Sequence, residues 1–270
     1  MFERIVVAAG STLDSGLTAA AETFRSALAG SAVMTFHVDA KRPGDTLDGL
    51  LHHAAAEEAD LLILGARSHV TARRVAMHAP CSVLMVPDHV ELKLNRVLVP
   101  VDFSATSAEA VREGARIAAS VGGECTVVAV ECDDDPWLDW RDYPQRLQGR
   151  LESFVAEAVG RKNDVTCLVE PIERTSQIRD HGPHELPRNI EGTDIAETVL
   201  TVAARLRTTL IVMGTRGRTV ASALLLGSVT EKVVQMSPIP VLTVKQQGER
   251  LGLLQGLLER LRGQPPLVVN

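Results

Sequence analysis

At 270 residues, 45% hydrophobic and 23% charged, the chain is long enough for one or two globular domains and has neither a disordered nor a membrane-spanning composition. Its net charge of −6 and aromatic share of 3% speak against nucleic-acid binding, which calls for a basic face or a base-stacking platform. The longest apolar runs, 61–64 and 210–213, are only strand-length, and the N-terminus shows none of the regions of a signal peptide. Cys81, Cys125, Cys132 and Cys167 show no C-x-x-C and no metal spacing, so a reduced, cytoplasmic chain away from the membrane is expected.

Taken in chain order, Arg4-Ile5-Val6-Val7 is a short apolar strand followed by a polar turn and an Ala-rich helix. A second strand at 31–38 leads almost directly to a helix over 46–59. Next comes Asp60-Leu61-Leu62-Ile63-Leu64-Gly65-Ala66-Arg67-Ser68, a buried strand and turn, and then Pro80-Cys81-Ser82-Val83-Leu84-Met85-Val86. Three of these segments return later in the same order. Arg96-Val97-Leu98-Val99 repeats the first strand, and Thr209-Leu210-Ile211-Val212-Met213-Gly214-Thr215-Arg216-Gly217 repeats the strand and turn. Ile239-Pro240-Val241-Leu242-Thr243-Val244 repeats the last strand. Three matched segments in one order indicate a duplication, split near 88–94.

The second copy reads as five strands, at 97–101, 126–130, 165–169, 210–213 and 241–244. Helical stretches at 107–119, 147–159 and 195–206 lie between them, the first with apolar residues at 108, 111, 115 and 118. Strands alternating with helices predict an α/β fold: two tandem open parallel sheets of the five-stranded type, helices on both faces, the first copy shortened by one strand–helix unit. The expected domains are 1–90 and 95–246. Residues 247–270 form a tail whose amphipathic helix, with Leu251, Leu254, Leu258 and Leu261 on one face, is expected to pack back on the body.

The strongest local signal for chemistry is Gly214-Thr215-Arg216-Gly217, then nine residues, then Gly227-Ser228. The first glycine ends a buried strand, at the edge of the sheet where open α/β folds bind ligands. Glycines let backbone N–H groups approach a phosphate chain without a Cβ in the way. Ser228-Val229-Thr230-Glu231 fits a capping box opening a helix, whose N-terminal amides and positive dipole end would face an anion. Arg216 and Arg218 flank the cradle and would add formal positive charge. There is no G-x-x-x-x-G-K-[ST], so no P-loop, and the glycines lack the G-x-G-x-x-G spacing of a dinucleotide fold.

The pattern G-x-x-G-x9-G-[ST] after the fourth strand, followed by Pro238-Ile239-Pro240-Val241-Leu242-Thr243-Val244, resembles the universal stress protein family. So does Val99-Pro100-Val101-Asp102-Phe103-Ser104, which is similar to the family's V-P-x-D-x-S opening. The resemblance covers about 150 residues strongly and the first 90 weakly. It implies an adenine nucleotide, ATP or else AMP or ADP, with Mg²⁺ as its counter-ion. Pro100, Val101 and Asp102 would meet the nucleoside, with Asp102 accepting from ribose hydroxyls and Val130 presenting backbone groups to the adenine edge. Met213, Gly214 and Gly217 would line the ribose and phosphates. Gly227, Ser228, Val229 and Thr230 would hold the terminal phosphates.

The resemblance further implies a nucleotide-responsive stress regulator rather than a committed enzyme, with no catalytic residues and at most slow ATP hydrolysis. The alternative is an ATP-dependent adenylating enzyme of a related fold. That chemistry shows an S-G-G-x-D-S loop where this chain has Asp102-Phe103-Ser104-Ala105. The family's dimer contact implies that the two copies pair within the chain through 83–86 and 241–244; a further homodimer is left open.

The chain departs from the family over 172–190, read as a surface loop in which His181, His184 and Glu185 are too few to close a metal site. Asp133-Asp134-Asp135 reads as a solvated run, and His52-His53 are adjacent on a helix and so do not share a face. The first copy has Gly10 where the second has Asp102, and Gly65-Ala66-Arg67-Ser68 in place of Gly214-Thr215-Arg216-Gly217. Only 14 residues separate Gly65 from Pro80, against 25 between Gly214 and Pro240, and no Gly-Ser follows. The first copy is therefore expected to lack the phosphate-facing helix N-terminus, and the chain to bind one nucleotide.

Overall fold

The computed structural model describes residues 2–9, 15–28, 32–37, 47–65, 69–131, 143–160, 164–172, 192–215 and 226–245. The first half contains β1 (Arg4–Ala9), α1 (Ser15–Ala27), β2 (Ala32–His37), α2 (Leu47–Ala56), β3 (Leu61–Gly65), α3 (His69–His78) and β4 (Ser82–Val86). The second contains β5 (Arg96–Pro100), α4 (Ala105–Ser120), β6 (Glu124–Glu131), α5 (Tyr143–Val159), β7 (Val165–Pro171), α6 (Gly192–Arg205), β8 (Leu210–Gly214), α7 (Ser228–Met236) and β9 (Val241–Val244).

The nine strands form one continuous sheet in the order β2-β1-β3-β4-β9-β8-β5-β6-β7. Every neighbouring pair is parallel except β4 with β9, which run antiparallel with Val83 opposite Thr243, Leu84 opposite Leu242 and Met85 opposite Val241. The two half-sheets therefore meet at the strands that carry the repeated P-x-x-V-L-x-V pattern, Pro80–Val86 and Pro238–Val244. The five strands read in the second half all form, and β6 and β7 run longer than the apolar runs alone indicated. The first half has no counterpart of α5 and β7 among the described residues.

Side chains alternate between two cores because successive Cβ atoms of a strand point to opposite faces. Along β5, Val97 and Val99 pack with α1, α4 and α5 through Phe24, Val111, Ile117 and Leu151. Leu98 points the other way and joins Leu50, Val75, Val199 and Val233, from α2, α3, α6 and α7. Strands buried on both faces read as unbroken apolar runs, which is why 61–64 and 210–213 are apolar at every position. The predicted tail helix, with Leu251, Leu254, Leu258 and Leu261, lies outside the described residues.

The second half runs β7-β6-β5-β8-β9, so the order reverses between its first strand, β5, and its fourth, β8. Chain leaves β5 and β8 toward opposite faces at that point, opening a crevice beyond their carboxyl ends.

Candidate functional site

Asp102 and Gly214 stand at the two lips of that crevice. Val101 N–H donates to Val128 O at 2.9 Å, carrying the sheet register one residue past β5. Asp102 then turns the chain, its Oδ1 accepting from Ser104 N at 3.0 Å. Ser104 caps α4, accepting from Ser107 N at 3.2 Å while Ser107 Oγ donates back to Ser104 O at 2.9 Å. Between them Phe103 takes φ 64°, a left-handed backbone that a bulky side chain adopts only when its surroundings compel it. Its ring meets Phe154 edge-on at 5.4 Å and lies 4.0 Å beneath the Arg150 guanidinium. Packing against α5 therefore holds the Asp102 turn in shape.

Gly214 ends β8 directly against the first turn of α4. A Cβ there would lie 2.8 Å from Thr106 C, 2.9 Å from Thr106 O and 3.0 Å from Ser107 N, all backbone atoms that cannot swing aside. The glycine is thus required by strand–helix packing, a reason separate from the phosphate approach that its sequence context suggested. Thr215 follows, buried, its N–H donating to Val244 O at 3.3 Å. Its hydroxyl is enclosed and meets no hydrogen-bond partner among the described residues.

The chain returns at Gly227, whose N–H donates to Thr215 O at 2.9 Å and whose carbonyl accepts from Glu231 N at 2.8 Å. Gly227, not Ser228, is the N-cap residue of α7, and Ser228 is already helical. The capping box read from Ser228 to Glu231 is corrected accordingly. Because the cap residue has no side chain, nothing on it reaches the amides of Ser228, Val229 and Thr230, the donors that a helix leaves without intrahelical partners. Thr230 Oγ1 donates to Gly214 O at 2.9 Å, locking the first turn of α7 to the end of β8.

Two helix N-termini, of α4 and α7, thus converge on Gly214 and Thr215. Asp102 and Val101 are half-buried beside them, and Val130, at the end of β6, is half-buried and paired with Glu170. Pro100 is buried, and Met213 sends its side chain into the α6–α7 core, leaving only its backbone for a ligand. Arg216, Gly217 and Arg218 lie outside the described residues, as do His181, His184, Glu185, Asp133, Asp134, Asp135 and Gly10. Among the described residues no cluster of three His, Cys, Asp or Glu side chains forms a metal site, and no helix is long and apolar enough to cross a membrane.

In the first half, a full helix does follow the turn: α3 begins at His69, four residues past Gly65, where α7 begins fourteen past Gly214. The expectation that this helix N-terminus is missing is corrected. What the first half lacks is the long spacer, so α3 starts hard against its strand.

Sequence reasoning missed two residues here. Lys245, only 4% exposed, crosses the strand junction, its ammonium donating to Ala79 O and to Met77 O at the carboxyl end of α3. That is where a cation suits both the orphan carbonyls and the helix dipole. Arg73 of α3 pairs with Glu231 of α7 at 2.9 Å. Neither contact is visible without knowing which strands adjoin. The cysteines are silent: burial, reinforced by Cys167, pushes the Cys125 thiol up to about 12, and burial raises Cys167 as well.

Compared with known proteins, residues 93–245 match the model of the universal stress protein family. A universal stress protein of Methanocaldococcus jannaschii is 28% identical over 152 residues, 56% of this chain and 82% of that protein. Two solved structures show the same fold over nearly the whole chain. A putative universal stress protein from Pseudomonas aeruginosa (16% identity, TM-score 0.62) covers 95% of this chain and 98% of its own. A universal stress protein from Archaeoglobus fulgidus (17% identity, TM-score 0.56) covers 89% of this chain and 96% of its own.

Proposed function

The chain belongs to the universal stress protein family, and from that premise we propose that it is a stress-response regulator binding one adenine nucleotide, ATP with Mg²⁺, in its second half. The observation that carries this reading is the uncapped N-terminus of α7 at Gly227, tied to the end of β8 through Thr215 O and Thr230 Oγ1. Those free amides and the dipole they terminate suit the terminal phosphates, and Gly217 with Arg216 and Arg218 would complete the cradle. The turn at Asp102 supplies a carboxylate for the ribose, and the backbone at Val130 would meet the base. On this reading the nucleotide acts as a signal rather than as a substrate. Domains 1–90 and 95–246 form a tandem pair within the chain, the first half serving as the second half's partner, in the cytoplasm.

The first half takes no nucleotide on this reading. Its turn has Ala66 and Ser68 where the second has Thr215 and Gly217, and α3 starts too close to β3 to leave room for a triphosphate. Titration of nucleotide-free protein with ATP tests the proposal. The expected stoichiometry is near one per chain, lost in a folded Gly217→Val variant. A stoichiometry near two, or ATP binding that survives Gly227→Val combined with Ser228→Val, would overturn it.

A further inference from the structure

Arg73 and Glu231 occupy the same position of the repeat. Arg73 lies eleven residues before Leu84 and Glu231 eleven before Leu242, and Leu84 faces Leu242 across the junction. Their helices also end in step, at His78 and Met236. The antiparallel junction therefore brings position 73 of one half against its own counterpart in the other. Two identical halves would set like charges together there. This chain sets an arginine against a glutamate, 2.9 Å apart.

Glu231 sits in the first turn of α7. A carboxylate in a first turn favours the helix dipole, but it competes for that dipole with any anion held at the same end. Left unneutralised, Glu231 would repel phosphates bound at Gly227 and Ser228. Arg73 draws the carboxylate sideways toward α3, and Gln235 Nε2 donates to the same Oε1 at 3.3 Å. Both partners hold Glu231 away from the N-terminal amides.

Resting on the nucleotide reading above, we propose that Arg73 is a positioning residue for the second half's nucleotide site, neutralising Glu231 and turning it from the phosphates. The half without a nucleotide thereby contributes to binding by the other. Glu231 acts on phosphate and not on the nucleoside, so the effect falls on ATP and spares adenosine.

The experiment measures binding of MgATP and of adenosine to the full chain, at low and at high salt, for the parent, Arg73→Gln, Glu231→Gln and the double variant. Arg73→Gln is expected to weaken MgATP by about two- to fivefold at low salt, less at high salt, with adenosine unchanged. Removing the carboxylate in the double variant is expected to restore MgATP affinity, and Glu231→Gln alone to leave it intact or raise it. Equal losses of MgATP and adenosine in Arg73→Gln, or no rescue by Glu231→Gln, would overturn the inference and leave the nucleotide reading standing. A parent protein that binds neither ligand would overturn both.

Discussion

Leu84 and Leu242 face each other, both fully buried, at the centre of the antiparallel junction that fuses two parallel half-sheets into one. Each is a core residue of its own half and a contact of the other. Leu84→Ala or Leu242→Ala alone is expected to cost about 2–5 kcal/mol, transfer and cavity terms together. The double variant should cost measurably less than the sum, because the second truncation enlarges a cavity that already exists. Denaturant unfolding of all four proteins measures the coupling. Strict additivity would mean that the two halves do not share this core.

Gly214 and Gly65 end equivalent strands, yet their surroundings differ. At Gly214 a methyl group would press on backbone atoms of Thr106 and Ser107, the closest at 2.8 Å. At Gly65 it would meet only Leu17 Cδ1, at 3.8 Å. Gly214→Ala is therefore expected to destabilise by about 1–3 kcal/mol and Gly65→Ala to stay within about 0.5 kcal/mol. Thermal unfolding decides it, and equal effects at the two sites would contradict the packing argument.

Gly227 leaves the N-terminus of α7 without a side-chain cap. Its φ of −60° and ψ of 142° suit any residue, so Gly227→Asp introduces a cap without strain. The variant is expected to gain a few tenths of a kcal/mol in the nucleotide-free protein. It should bind ATP at least about tenfold more weakly, since the new carboxylate takes the amides and repels phosphate. Calorimetry showing undiminished ATP affinity would place the phosphates elsewhere.

Cys125 gives a pH-dependent contribution whose sign follows from burial. Its thiol rises from the ordinary 9.0 to about 12 in the folded protein because burial disfavours the thiolate, and nearby Cys167 adds to this. A group whose folded value is raised stabilises the fold below its unfolded value and loses that contribution as pH climbs toward the folded one. The loss therefore falls between about pH 9 and pH 12. Cys125→Ala is expected to show a shallower fall in stability across that window than the parent. Native Cys125 should also resist alkylation at pH 8. Rapid labelling of folded protein would refute it.

The sequence by itself determined the α/β class, the five strands of the second half and the strand–helix unit that the first half lacks among the described residues, while the meeting of the two P-x-x-V-L-x-V strands came from the family resemblance. The class and the strands follow from local periodicity and from apolar runs that only a doubly covered sheet can bury. It also picked out Asp102, Gly214, Gly227 and Thr230 as a set, because a motif records which residues must come together. It misjudged details that depend on where a neighbour's backbone lies. Ser228 reads as a cap because serines usually are caps, but the chain becomes helical one residue earlier. The first half keeps a helix after Gly65 because three residues are enough to start one when the strand ends against it. The tertiary structure alone decided that Gly214 must be glycine to clear α4, that Lys245 closes α3 from the other half, and that Arg73 meets Glu231. In each case the partners lie in elements far apart in the chain, and only the antiparallel junction or the β8–α4 packing brings them within reach.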